Sequence, residues 1–252
     1  MFENLMRMWT AGRAPSAWRL PDRSEQPLRS ELYSADQMEQ HGEKLAESHR
    51  GAREHGADRL LPRLAENETV LLQACKLLTQ AIEDDRRITP AGEWLLDNFY
   101  LIEEQIRTAR RHLPRRYSWE LPRLTTGPSA GFPRVYDIAL EAISHGDGRV
   151  DTDSLIRFVS AYQRVTTLSL GELWAIPIML RLALIENLRR VGARIAADRL
   201  DRNLADSWGD QIVEFAEKDT KNLILVVADM ARSNPPMVSA FVAELTPDLE
   251  AQ

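Results

Sequence analysis

Apolar residues recur at three- and four-residue spacing through most of the chain, which is the period of an amphipathic α-helix. A strong example follows Pro62, a residue that the first turn of a helix tolerates, and ends near Arg87. It is formed by Leu64, Val70, Leu71, Ala74, Leu77, Leu78, Ala81 and Ile82. No run alternates convincingly with the period of two that a half-buried strand requires. The sequence therefore predicts an all-α protein, either a multi-helix bundle or an irregular helical array.

Other segments carry the same period. From Ser34 to about Arg53, Met38, Leu45 and Ala52 repeat at intervals of seven among charged residues, which favours a peripheral helix with one narrow apolar stripe. Later helices are predicted at residues 134–145, 151–165, 169–200, about 204–217, 223–230 and 237–245.

The segment "ITPAGEWLLDNFYLIEEQIR" begins with residues that start helices. Thr89 is placed to cap, Pro90 fits the first helical position, and the charge of Glu93 suits the positive end of the helix dipole. The helix is expected to run to about His112 and to stop before Pro114.

Apolar and acidic residues occupy different faces of this predicted helix. The apolar face holds Leu95, Phe99, Ile102 and Ile106, and the other face holds Glu93, Asp97, Tyr100 and Glu104. Glu103 and Glu104 can pair with Arg107, each exposed pair contributing ~0.2–0.5 kcal/mol. A solvated or interfacial acidic face is favoured over a catalytic carboxylate site.

Proline and glycine indicate the domain organisation. Residues 1–29 hold four prolines or glycines among scattered charges and are predicted to form a flexible N-terminal tail. Residues 113–133 contain six such residues and are predicted to form a long ordered loop or a hinge. The rest, residues 30–252, is expected to be one helical domain, with a subdivision at the 113–133 loop as an alternative.

Composition narrows the classes of function. The 252 residues are 44% hydrophobic, enough for a sizeable core, and the net charge of −6 offers no field that would gather nucleic acid. The beginning of the chain lacks the pattern of a secretory signal. The most apolar stretches fall below the ~20 residues that a transmembrane helix needs, so no span is expected in this chain.

Residues that could bind metal lack the spacing of known metal motifs. Asp147, Asp151 and Asp153 do not fit a calcium loop, and Asp151 or Asp153 is expected to cap the following helix. The single cysteine, Cys75, lies on an apolar helix face and is interpreted as core packing.

The histidines do not form a recognisable motif either. His41, His49 and His55 are eight and six residues apart, so a helix cannot direct two of them at one zinc ion. There is also no Gly-rich phosphate loop and no nucleophile elbow. The sequence predicts no catalytic, cofactor-binding or metal-binding residue and no cofactor.

Three charged residues interrupt the most apolar predicted helix: Glu172, Arg181 and Glu186. In one interpretation Glu172 is exposed near the helix start and Arg181 extends its stem along the core. In the other, these charges form an ion pair with a further domain, because a buried unpaired ion would cost several kcal/mol. The sequence leaves both interpretations open.

Long phrases of the chain resemble the N-terminal region of the bacterial cyclic β-1,2-glucan synthases. They are "LRSELYSADQMEQHG", "RLLPRLAENETVLLQA", "ITPAGEWLLDNFYLIEEQIRTARRHLP", "GFPRVYDIALEAISH", "GELWAIPIMLRLALIENLRR" and "VADMARSNPPMVSAFVAEL". The resemblance runs from about Leu28 to Leu245. It implies a region of a large inner-membrane glycosyltransferase that makes cyclic glucan from UDP-glucose and also carries a phosphorylase domain.

The resemblance also sets the expected role. No position matches a catalytic motif of the family, so the chain alone is expected to be inactive and to act as a scaffold, or to be a truncated product. Its expected partners are the transferase and membrane segments of the same polypeptide, at the cytoplasmic face of the inner membrane. The alternative is a free-standing helical protein-interaction module.

A third interpretation makes Trp94, Trp119 and Trp174 stacking platforms for glucan or nucleotide sugar. Trp94 and Trp174 lie within apolar helical periods and are expected to be core residues. Trp119 lies in the 113–133 loop, and its role stays open.

Overall fold

The computed structural model describes residues 25–28, 30–49, 57–113, 117–146, 148–218 and 223–250. These residues form nine α-helices and no strand, which confirms the predicted all-α class. The helices are α1 Ala35–Ser48, α2 Leu60–Glu83, α3 Pro90–Asp97, α4 Phe99–His112, α5 Arg134–His145, α6 Thr152–Val165, α7 Leu170–Lys218, α8 Leu223–Ser233 and α9 Ser239–Glu250. No helix among the residues described combines the length and apolar character of a membrane span.

The described residues divide into two compact units. The larger unit comprises residues 25–72 and 94–192, and the smaller unit comprises residues 73–93 and 193–250. Most of the predicted tail, residues 1–24 and 29, lies outside the described residues. One helical domain, with or without a subdivision at the 113–133 loop, stays a prediction.

The larger unit has a core that α1, α5, α6 and the beginning of α7 build together. Met38 and Leu45 of the predicted narrow stripe are both buried there, whereas Ala52 lies outside the described residues. Gly42 allows α1 to approach α6 closely, because a β-carbon at Gly42 would lie 2.7 Å from the carbonyl oxygen of Phe158. The buried residues of this cluster are Met38, Leu45, Ala46, Ile138, Ala142, Phe158, Val159, Tyr162 and Leu168.

The smaller unit has a separate core near the end of α7. Trp208 and Phe241 are buried in it, together with Ala205, Ile212, Val226 and Leu245. The two segments predicted at 169–200 and about 204–217 belong to one continuous helix, α7. Cys75 is buried in α2, in agreement with its predicted packing role.

The helix expected to run from Pro90 to His112 is interrupted at Asn98, so the prediction of one helix was wrong in this respect. The Asn98 side chain donates to the carbonyl oxygen of Trp94 at 2.8 Å, and its backbone departs from helical angles, with ψ at 6°. The same carbonyl oxygen also accepts the backbone N–H of Asn98 at 3.1 Å, so the side chain adds a second bond at the end of α3. The predicted end at His112 is confirmed.

The predicted burial of Trp94 and Trp174 is wrong. Trp94 is 53% exposed and Trp174 is 76% exposed. The beginning of α7 is apolar on almost every side, so the three- and four-residue period does not identify its outward face. Burial of Ala175 and Met179 places Trp174, which lies on a different side of the helix, toward solvent.

Hydrogen bonds within the loop hold the described part of residues 113–133 together, and a hinge at this loop stays a prediction. Arg123 and Pro133 form an isolated antiparallel bridge, and Gly131 donates its backbone N–H to the carbonyl oxygen of Leu124 at 2.7 Å. The buried guanidinium of Arg123 donates to the carbonyl oxygens of Gly131 and Ser118, both at 2.9 Å. These bonds replace the regular hydrogen bonding that the prolines prevent.

The predicted cap at the start of α3 is present, and its removal should be measurable. The backbone N–H of Gly92 donates to Oγ1 of Thr89 at 3.2 Å. We expect Thr89→Ala to lower the free energy of unfolding by about 0.5–2 kcal/mol, because one N–H at the helix end loses its acceptor. Urea unfolding monitored by circular dichroism measures this loss. Thr89→Ser is the control: it keeps the hydroxyl, and an equal loss in that variant would contradict the cap.

Candidate functional site

The acidic face of the helix segment around residue 100 lies in solvent. Glu93, Asp97 and Glu104 are exposed, while Ile102 and Ile106 are buried. The segment therefore packs its apolar face in the core and exposes its acidic face to solvent, as the sequence predicted. Asp151 also behaves as expected, because its carboxylate accepts the N–H of Ser154 at 2.9 Å and caps α6. Asp147 lies outside the described residues.

A pocket of about 370 Å³ opens in the larger unit, next to the first turns of α2. Arg59, Arg63 and Arg190 line it together with Glu25, Glu66 and Glu186, and the remaining wall is Pro62, Pro128, Ser129, Phe132, Tyr136 and Leu140. Three cationic and three anionic side chains therefore face the same cavity. A ligand such as a nucleoside diphosphate, which carries several negative charges, would meet no excess of positive charge there.

The carboxylate of Glu186 is the most enclosed charge of this pocket, at 1% exposed. Arg63 binds it through two hydrogen bonds of 2.9 and 2.8 Å. Arg189 and Arg190 also donate to it, at 2.7 and 2.9 Å. Burial alone would raise the pKa of Glu186, but the hydrogen bonds and charges of these arginines outweigh burial and lower it to about 2.

The arginines of this cluster have further acceptors. Arg63 also contacts Glu25 and Glu66, each at 3.2 Å, and Arg189 pairs with Glu25. Arg190 donates in addition to the carbonyl oxygen of Gln26 at 3.2 Å. The cluster therefore ties the residues before α1 to α2 and α7 within the larger unit, which is a structural role.

Glu172 is fully buried, so the interpretation that placed it in solvent was wrong. Arg134 donates to both of its carboxylate oxygens, at 2.6 and 2.8 Å, and Ser169 donates its backbone N–H at 2.8 Å. Burial raises the pKa of Glu172, but the hydrogen bonds from Arg134 and Ser169 lower it overall. Glu172 and Glu186 are thus both paired with arginines of this chain. The guanidinium of Arg181 lies 3.5 Å from a ring nitrogen of His112.

A second buried group combines serine, aspartate and histidine without forming a catalytic triad. The ring of His49 contacts Asp137 through Nε2 and the Tyr162 hydroxyl through Nδ1, both at 3.0 Å. Ser129 donates its hydroxyl to the other oxygen of Asp137. A triad requires the imidazole to accept the proton of the serine, whereas here the carboxylate lies between the two. Burial, partly offset by Arg134, raises the pKa of Tyr162 to about 12.

A third polar group has the composition of a metal site. Nε2 of His41 lies 2.8 Å from a carboxylate oxygen of Glu141, and Nε2 of His145 lies 3.3 Å from the same oxygen. The three ligand atoms lie within 4.8 Å of one another. Sequence reasoning considered His41 with His49 and His55 and missed this set. The spacing of four between Glu141 and His145 on one predicted helix was the available signal.

The other histidines that the sequence suggested do not join this set. His49 belongs to the buried group with Asp137 and Tyr162, and His55 lies outside the described residues. That the chain contains no catalytic, cofactor-binding or metal-binding residue stays a prediction.

The class that these features define is an all-α region in which arginines of the larger unit pair with the buried carboxylates of Glu172 and Glu186. No family model matches the chain. In an alignment of 227 positions that covers 86% of the chain, the chain is 33% identical to the cyclic beta-(1,2)-glucan synthase NdvB of Rhizobium meliloti (strain 1021). The resemblance seen in the quoted phrases, to the N-terminal region of such synthases, is therefore confirmed. The chain spans only 8% of the length of NdvB.

Proposed function

We propose that the chain is the N-terminal helical region of a cyclic β-1,2-glucan synthase, or a truncated product of one, and that it serves as a scaffold. Its partners are the transferase and membrane segments of the same polypeptide, at the cytoplasmic face of the inner membrane. The identity of 33% over 86% of the chain is the observation that carries this proposal. In this role the region binds no UDP-glucose and performs no transfer.

The internal pairing of charges supports a structural role. The buried carboxylates of Glu172 and Glu186 are held by arginines of the larger unit, so neither is left to activate a substrate. The charges around the 370 Å³ pocket are balanced in number. A site that holds a nucleotide diphosphate needs cationic groups aimed at the phosphates, and the pocket does not supply an excess of them.

Exposed apolar side chains of the smaller unit supply a surface for contact with further protein. Ile224, Leu225 and Val227 of α8 are exposed, as is Met237 before α9. Large apolar side chains left exposed in a group commonly mark interaction sites, and three of these four lie within four residues of one another in α8. The same surface would serve the alternative, a free-standing helical interaction module. A reading frame that continues beyond Gln252 into membrane segments and a transferase domain would favour the scaffold.

Co-expression tests the scaffold directly. NdvB lacking the region that matches this chain would be produced in membranes with and without the 252-residue chain, and radiolabelled glucan made from UDP-glucose would be measured per synthase molecule. We expect the chain to co-purify with the shortened synthase and to increase glucan synthesis, while the purified chain alone incorporates no label. An isolated chain that becomes glucosylated would refute the scaffold, as would a shortened synthase that is fully active alone.

Matched variants locate the contact. Ile224→Asp combined with Leu225→Asp places charge on the exposed face of α8 and is expected to abolish co-purification. Ile156→Asp changes an exposed isoleucine of the larger unit and serves as the control. Equal loss with both variants would show that the α8 face is not the specific contact.

A further inference from the structure

We propose that His41, Glu141 and His145 bind a divalent transition-metal ion, with Zn²⁺ as the best match. The proposal is independent of the glucan synthase assignment, because it depends only on the larger unit. Two imidazole nitrogens and one carboxylate oxygen are a common ligand set for zinc in proteins, with further positions left to water.

The positions of the ligand atoms fit one ion. Both histidines direct Nε2 toward the same oxygen of Glu141, at 2.8 and 3.3 Å. Around a tetrahedral zinc with bonds of about 2.0–2.2 Å, neighbouring ligand atoms are roughly 3.3–3.6 Å apart. Small side-chain rotations therefore bring all three atoms to bonding distance of one ion.

The hydrogen bond between His145 and the backbone of Glu31 determines which ring nitrogen of His145 is available to bind a metal ion. Nδ1 of His145 lies 2.7 Å from the carbonyl oxygen of Glu31, which can only accept, so Nδ1 carries a proton. In the neutral ring, Nε2 then presents a lone pair to the carboxylate of Glu141. Nε2 of His145 and the carboxylate oxygen of Glu141 would then both be acceptors, facing each other at 3.3 Å, unless a proton or a metal ion lies between them. A backbone carbonyl behind the distal nitrogen is also the usual support of a metal-binding histidine.

The surrounding residues hold the rings in place. Tyr33 stacks on His145, with ring centroids 3.8 Å apart and planes 11° from parallel. Glu141 and His145 lie one turn apart on α5, and His41 lies on α1, which packs against α5 in the core of the larger unit. His145 is buried, whereas His41 and Glu141 are partly exposed, so an ion can enter from solvent.

Metal titration of the tag-free 252-residue chain tests the proposal. After treatment with a chelator, the chain would be titrated with Co²⁺, followed by its visible absorption, and with Zn²⁺ in a calorimeter. We expect one ion per chain with micromolar or tighter affinity, and a rise in melting temperature with zinc because the ion binds the folded state. Binding of no ion, or binding too weak to saturate at millimolar metal, would overturn the proposal.

Variants assign the ligands. His41→Ala and Glu141→Gln change partly exposed side chains and should keep the fold, and each is expected to weaken binding by roughly 100-fold. His112→Ala, at an exposed histidine of α4 outside the cluster, should bind as the parent chain does. Wild-type affinity in both ligand variants, or an equal loss in His112→Ala, would place the ion elsewhere and overturn the proposal. The circular dichroism spectrum of each variant confirms that it is folded.

Discussion

Glu186→Ala is expected to lower the free energy of unfolding by about 3–5 kcal/mol, because it leaves the positive charges of Arg63 and Arg189 without their buried partner. Arg189 is itself buried and donates to Glu186 at 2.7 Å. Urea denaturation, followed by circular dichroism, measures the change. Glu66→Ala is the matched control, because Glu66 contacts the same Arg63 from an exposed position. Equal effects of the two substitutions would mean that the cluster around Glu186 does not stabilise the fold.

The carboxylate of Glu186 also makes the free energy of unfolding depend on pH. Its pKa is lowered in the folded chain from 4.5 to about 2, so its contribution is complete above about pH 4.5 and is lost as the pH falls toward 2. The shift corresponds to a contribution on the order of 3 kcal/mol. Glu186→Gln removes the titrating group, and the difference in stability between the parent chain and this variant should shrink over that interval. A constant difference from pH 6 to pH 2 would contradict the assignment.

Phe158→Ala should produce a loss of similar size, about 3–5 kcal/mol, through a cavity in the core of the larger unit. Phe158 is fully buried in α6 and faces the close approach at Gly42. Trp174→Ala removes a larger side chain that is mostly exposed, and it should change stability little. Denaturation midpoints of the two variants provide the comparison. If the tryptophan variant lost as much stability as the phenylalanine variant, Trp174 would have to be a core residue after all.

Features set by neighbouring residues could be predicted from the sequence. The cap formed by Thr89, the start of α3 at Pro90 and the cap formed by Asp151 depend on groups within a few residues of one another. Burial of Met38 and Leu45 also follows from a narrow stripe on an otherwise polar helix. When apolar residues form only one stripe on a polar helix, their spacing identifies the face that packs inward.

Other features depend on which helices meet, and a local pattern does not contain that information. The exposure of Trp174 could not be inferred, because the start of α7 is apolar on nearly all sides. Burial of Glu172 depends on Arg134, which is 38 residues away in sequence. His41 meets Glu141 across 100 residues, so spacing rules within one helix could not find the candidate metal ligands together.

The uneven burial of the tryptophans makes the chain suited to fluorescence measurements. Trp208 is buried in the core of the smaller unit, whereas Trp94 and Trp174 present their indoles to solvent in the larger unit. An indole in an apolar environment emits at shorter wavelength than one in water, and a dissolved quencher such as acrylamide reaches it slowly. Trp119 is also exposed, so among the tryptophans that the structure describes the emission that resists acrylamide is expected to come mainly from Trp208. The shift of that emission toward longer wavelength during denaturation would report the opening of the smaller unit.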